Sequence, residues 1–291
     1  ATLRRQRQMC IRDRYSMISP YWGGVNAVVE AMRNVASVGA TPHAITDCLC
    51  YGNPEKPKQM WEFVEGTRGI SDACNAITLK DNPSYPTPII AGNVSFYNES
   101  KNGPIPPSPI VSCLGRLKDI DYVLPMDFQS SGSDILMVGE RKDELGGSIY
   151  YQLLGELGAN VPKPDLVEVR SQIFAITDCA EGGLILSCHD ISDGGIATSI
   201  AEMTFRKNIG CLVKIPGHLQ NHKILFSETG GFVIETKKEN TENVIKVFKA
   251  HGLHASKIGE TGGEYIQLNE TIKVKVREGR HRWENGLREK L

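Results

Sequence analysis

Residues 46–57 read Thr46-Asp47-Cys48-Leu49-Cys50-Tyr51-Gly52-Asn53-Pro54-Glu55-Lys56-Pro57. Ala44 to Leu49 is a short strand that carries a carboxylate, Asp47, close to its end. The Gly52-Asn53-Pro54 turn stops it, and Pro57 stands where the first turn of a helix accepts a proline. Helical spacing then runs from Met60 to Ile77. Strand, turn and helix in this order form the unit of α/β folds, in which ligands gather at the carboxyl ends of strands. Asp47 is thereby placed to bind a magnesium-nucleotide or a hydroxyl; the alternative is that it only caps the turn. Cys48 and Cys50 have no second pair at metal-ligand spacing, which argues against zinc.

Outward from this unit, Val25 to Val38 places Val25, Val28, Val29, Met32, Val35 and Ala36 on one helical face and stops at Gly39. Prolines make Lys80 to Pro88 a loop. Ile89 to Val94 and Pro109 to Leu117 read as strands, and Met126 to Asp134 as the domain boundary. The second part begins with a strand from Ile135 to Gly139 and a helix after Gly146-Gly147. A long helix covers Asp165 to Glu181 behind Pro164, followed by a strand over Leu184 to Ser187 and a helix over Ile196 to Phe205. Gly231 to Thr236 is a strand, 241–251 is helical, and short strands continue to Val276. The mixture is α/β or α+β. Six Gly-Gly pairs, starting at Gly23, Gly146, Gly182, Gly194, Gly230 and Gly262, are expected at element junctions, where positive φ or close approach is needed.

The chain has 291 residues, 33 basic against 34 acidic, and 40% apolar residues. That profile is globular, and the length suits about two domains. Near-neutral charge argues against nucleic-acid binding by bulk electrostatics. No apolar run reaches the roughly 18 residues of a membrane helix. Eight scattered cysteines without a secretion signal read as buried thiols, and the expected location is the cytoplasm. Residues 1–14 stand apart, with five arginines and one acid. Without them 28 basic residues face 33 acidic ones, a net of −5. Met9 to Arg14 resembles a translated sequencing adapter, so 1–14 is read as a non-native or disordered tail, with a phosphate-touching arm and a transit peptide as alternatives.

Two further segments bear oxygen-rich chemistry. Ala91-Gly92-Asn93-Val94-Ser95-Phe96-Tyr97-Asn98-Glu99 runs from an apolar strand into a glycine and hard-oxygen side chains suited to Mg²⁺. Its alternative is a polar turn. Ser187-Cys188-His189-Asp190-Ile191-Ser192-Asp193-Gly194-Gly195 precedes an apolar-faced helix. Its glycines let an anion approach the helix N-terminus, so His189, Asp190, Asp193, Gly194 and Gly195 form a second candidate site. His189-Asp190 also fits a general base, or a purely structural pair.

Taken in order, Pro20-Tyr21-Trp22-Gly23-Gly24, Arg33-Asn34-Val35-Ala36, Thr46-Asp47-Cys48, Gly52 to Pro57, Gly92 to Ser95, Tyr97-Asn98-Glu99, His189 to Gly195 and Trp283 to Leu287 carry a resemblance. The chain from about Pro20 onward resembles the C-terminal half of the synthetase subunit of phosphoribosylformylglycinamidine synthase. The resemblance implies one aminoimidazole-ribonucleotide-synthetase-like unit: an α/β domain with a mixed sheet over 15–127, then an α+β domain over 134–291. It implies a purine-biosynthesis ligase that turns formylglycinamide ribonucleotide, ATP and glutamine-derived ammonia into the formylglycinamidine, ADP and phosphate. ATP and Mg²⁺ are the implied cofactors. Asp47 and Gly92 match ATP-contacting positions, Asn93 a magnesium ligand and Ser95 a substrate contact. The catalytic histidines lie in the N-terminal half, and His189 is not one of them. The implied partners are that N-terminal half, a glutaminase subunit and a small accessory subunit; the glutaminase is expected to be separate, because the chain ends soon after Leu287. The isolated chain is expected to be inactive. The alternatives are a non-catalytic nucleotide-binding or assembly module, and another ATP-using member of the superfamily. Asp81 to Pro86 reads as an insertion. Phe226-Ser227-Glu228-Thr229-Gly230-Gly231 departs from the family pattern, and no site is assigned there.

Overall fold

A computed structural model describes residues 10–11 and 13–286 of the chain. In the first part, β1 (Cys10–Ile11), α1 (Asp13–Ile18) and α2 (Pro20–Ser37) lead to β2 (Thr41–Cys50) and α3 (Pro57–Ala76). Then come β3 (Thr78–Leu79), β4 (Asn82–Pro86), β5 (Ile89–Ser95), β6 (Glu99–Ser100), β7 (Gly103–Pro104) and β8 (Ser108–Arg116). The second part holds β9 (Asp134–Val138), α4 (Ile149–Leu153), α5 (Leu166–Glu181), β10 (Ser187–Asp190), α6 (Gly195–Phe205), β11 (Cys211–Val213) and α7 (Asn221–Phe226). It closes with β12 (Phe232–Thr236), α8 (Thr241–Ala250), β13 (Ala255–Thr261), β14 (Tyr265–Leu268), β15 (Ile272–Lys275) and α9 (Val276–Asn285). Most of the arginine-rich tail falls outside the described residues. Its last two residues open α1, so a boundary at Tyr15 cuts inside a helix.

The first sheet has the order β1-β8-β2-β5, with β5 parallel to β2 and β8 antiparallel to both β1 and β2. Helices α2 and α3 pack together closely because neither carries side chains at the crossing. A Cβ on Gly24 would collide with the Gly66 carbonyl, and one on Gly69 with the Tyr21 carbonyl. The Gly23-Gly24 pair therefore lies within α2 rather than at a junction. It serves helix–helix approach rather than a turn, and α2 starts at Pro20, five residues before the apolar spacing suggests.

The second sheet runs β10-β12-β9-β13-β11-β14-β15 and is antiparallel except at β11–β14. Strand β9 is buried on both faces. Leu136 and Val138 join one apolar cluster with Val28, Met32, Ile173, Ile176 and Phe232. Ile135 and Met137 join another, with Ile196, Ile200, Met203 and Val233. Alternation along β9 and β12 thus sorts side chains to two layers. The first layer includes α2, so both parts of the chain share a core. The connection between them is fixed: Phe128 is fully buried, and the Gln129 and Ser130 N–H groups donate to the Glu235 carboxylate at 2.7 and 3.0 Å.

Two elements differ from their expected form. Residues 82–86 are a strand, an exposed hairpin partner of β3 where prolines are tolerated. Lys80 at its base reaches Asp178 and Thr177 of α5 at 2.6 and 2.7 Å. The strand expected over Leu184 to Ser187 instead starts at Ser187 and continues through His189-Asp190, paired with β12.

Candidate functional site

The carboxyl ends of β2 and β5 lie side by side. Their register sets Asp47 opposite Gly92, Cys48 opposite Asn93 and Cys50 opposite Ser95. Alternation then divides the four residues singled out between two faces. Asp47 and Gly92 face α3. Asp47 lines a cavity of about 330 Å³ together with Thr67, Ser71 and Asn75 of that helix and Thr87. Burial pushes the Asp47 carboxyl up, while the Asn93 N–H bonded to it favours the charged form. Asn93 and Ser95 share the opposite face, where Asn93 Nδ2 lies 3.8 Å from Cys48 Sγ.

That opposite face is open. β5 is an edge strand, and six of its seven residues are exposed, Ala91 and Asn93 on this face among them. The strand sits on a rigid base nonetheless. Tyr51, Phe63 and Phe96 pack edge to face at 5.3 and 4.9 Å between centroids. Asn98 Nδ2 donates to the Tyr51 and Ser95 carbonyls at 3.0 and 2.9 Å and so ties the two strand ends together. Before it, Tyr97 holds a left-handed φ of 59°, a strained backbone for a residue with a side chain.

The second candidate site lies in a cleft of about 670 Å³ between α2 and the second sheet's domain. His189 Nε2 is 3.0 Å from Glu202 Oε2, and Nδ1 is 3.3 Å from Asp190 Oδ1. Burial opposes the imidazolium, but hydrogen bonds and charge from Asp190 and Glu202 prevail and push its pKa up to about 10. A histidine already protonated at neutral pH has no lone pair for base catalysis. Glu202 also accepts Trp283 Nε1–H at 3.0 Å, which ties α9 to the cleft. Gly194 and Gly195 both have positive φ at the start of α6. The N-terminus they open is met by the chain's own carboxylate: Glu228 Oε1 accepts from Gly194 N and Ile149 N at 2.8 Å each. Glu228 Oε2 accepts from the Tyr15 hydroxyl.

Sequence reading missed Thr67, Ser71 and Asn75, although their four-residue spacing on α3 is a polar stripe that the helical period predicts to face one way. It also missed Glu228, which carries no such signal.

Residues 130–268 match the AIR synthase related protein, C-terminal domain, and residues 8–117 match the AIR synthase related protein, N-terminal domain. The chain belongs to the AIR synthase related proteins. Among curated relatives, it is 42% identical over 284 residues to phosphoribosylformylglycinamidine synthase subunit PurL of Methanothrix thermoacetophila, covering 95% of this chain and 37% of that one. It is 33% identical over 291 residues to the PurL subunit of Anaeromyxobacter dehalogenans, with the same coverage. The chain therefore spans little more than a third of these relatives. T. maritima PurL complexed with FGAR has the same fold at a TM-score of 0.76 and 20% identity, over 94% of this chain and 45% of that one. The hydrogenase maturation protein HypE in complex with ATP follows at 0.61 and 18% identity, over 87% and 78%. This family fold is the single synthetase-like unit, α/β part first, that the motifs imply. Among the described residues, no helix is long and apolar enough to cross a membrane.

Proposed function

We propose that this chain works as the C-terminal half of a phosphoribosylformylglycinamidine synthase synthetase subunit in the cytoplasm. In this role it converts formylglycinamide ribonucleotide, ATP and glutamine-derived ammonia to the formylglycinamidine, ADP and phosphate, together with an N-terminal half, a glutaminase subunit and a small accessory subunit. The observation that carries the reading is the exposure of β5. Asn93 and Ser95 lie on an edge strand exposed along six of its seven residues, so the site is half-walled. A second polypeptide segment on that edge would complete it.

In this reading Asp47 and Gly92 contact ATP. The missing side chain at Gly92 leaves room for the Asp47 carboxylate itself. Asn93 offers a hard amide oxygen to Mg²⁺, and Ser95 offers a hydroxyl to the substrate. The donors are of the right chemistry, but among the described residues no three His, Cys, Asp or Glu side chains gather to hold an ion. The remaining ligands then come from phosphate, water and the N-terminal half. Bound Mg²⁺ supplies neutralisation of phosphate charge. The chain's own residues orient the nucleotide, and the Asn93 N–H favours the charged form of Asp47 against its burial.

The test is ADP release by the isolated chain and by the chain mixed with a homologous N-terminal half, each with formylglycinamide ribonucleotide and ammonia. We expect turnover only in the mixture. Formylglycinamidine production by the isolated chain overturns the reading.

A further inference from the structure

A cavity of about 660 Å³ opens within the second domain, and every residue lining it belongs to that domain. Its volume falls in the range of small-molecule sites. It shares no residue with the Asp47–Ser95 region.

Arg141, on the connection between β9 and α4, lines this cavity and is only 6% exposed. Its Nη2 donates to the Gly230 carbonyl at 2.8 Å. The N–H on Nε and those on Nη1 have no hydrogen-bond partner among the described residues. Buried donors left in this state are rare in native proteins and call for an acceptor or a counter-charge.

Glu140, Asp143 and Glu168 also line the cavity, and Glu144 places negative charge near Arg141, but none of these carboxylates accepts a hydrogen bond from its Nε or Nη1. Glu144 uses its oxygens on Lys163 N at 3.1 Å and Thr229 Oγ1 at 2.7 Å. Asp143 pairs with Lys223 at 2.6 Å, and Glu168 accepts from Gln172 at 2.8 Å. Arg33 adds a second positive charge nearby. Lys142 and the exposed rings of His218 and His254 also line the cavity, beside apolar Leu219 and Leu253.

We propose that this cavity binds a small molecule bearing a phosphate or carboxylate. Arg141 is its buried counter-charge, the two histidine rings meet it at the mouth, and the leucines cover its carbon part. The guanidinium nitrogens without partners are closed to water, so Arg141 acts mainly through its fixed charge, which a low-dielectric wall strengthens.

The experiment uses the full 291-residue chain, with inorganic phosphate and succinate as probes, at matched ionic strength. Thermal melts and calorimetry are read for the wild type, Arg141→Met and His254→Glu. Saturating probe is expected to raise the wild-type Tm by roughly 3 °C. Both variants are expected to weaken binding at least roughly fivefold. A response to phosphate alone, to succinate alone or to both probes supports the proposal and identifies the anionic group. If Arg141→Met does not fold, His254→Glu, a surface change, decides by itself. No response in the wild type, or one that survives in the folded variants, overturns the proposal.

Discussion

The Cβ that Gly92 lacks would lie 2.6 Å from Asp47 Oδ1. The two residues are partners in the β2–β5 register, and the carboxylate occupies the space where a side chain would stand. Gly92→Ala must therefore move Asp47. Its backbone φ is outside the left-handed region, so alanine adds no backbone strain. We expect stability within about 0.5 kcal/mol of wild type. Nucleotide affinity of the chain joined to an N-terminal half should fall roughly tenfold, about 1.4 kcal/mol. Calorimetry with ATP reads this, and unchanged affinity would separate Asp47 from the nucleotide.

Ile90 is the most exposed of the large apolar residues of β5, and its edge has no strand partner among the described residues. Ile90→Lys should cost the isolated chain under about 0.5 kcal/mol, because little packing is lost. The same lysine blocks edge pairing. Sedimentation should show that the variant no longer joins an N-terminal half and self-associates less than the wild type.

His189 makes stability depend on pH. Its folded pKa of about 10 stands above an unfolded value of about 6.5. The imidazolium contribution is fully present below about pH 6.5 and is lost as pH rises towards 10. Urea unfolding from about pH 6 to 10 should show a decline of a few kcal/mol, and His189→Gln should flatten it. A variant that declines as steeply as the wild type would assign the slope to other groups.

Glu228 joins α1, α4 and α6 through the Tyr15 hydroxyl, Ile149 N and Gly194 N. Glu228→Ala leaves these donors buried or half-buried without an acceptor. The expected loss is about 2–4 kcal/mol in urea unfolding. Glu228→Gln keeps the shape and should lose less than half of that. Equal losses in the two variants would point to the charge rather than to the hydrogen bonds.

Much of this molecule was legible in one dimension because local rules govern it. Apolar spacing placed α2, and Pro57 and Pro164 marked the starts of α3 and α5, where Asp165 accepts from Val167 N and Glu168 N. Motif order pointed to the family, and β2, β5 and β8 followed from their apolar runs. Other features depend on residues far apart in the chain. Gly23-Gly24 looks like a turn until Gly66 is laid across the helix. His189-Asp190 looks like a base until Glu202 and Asp190 hold its proton. Gly194-Gly195 looks like an anion site until Glu228, 34 residues later, arrives there. Sequence alone determined the main helices and strands around the site, since backbone propensity and burial period act between neighbours; the 82–86 hairpin strand, whose pairing decides it, was not among them. Tertiary structure alone decided the division of Asp47 from Asn93 and Ser95 across the sheet and the exposure of β5. Both depend on strand register and on which face another layer covers, and these are set by contacts between distant segments.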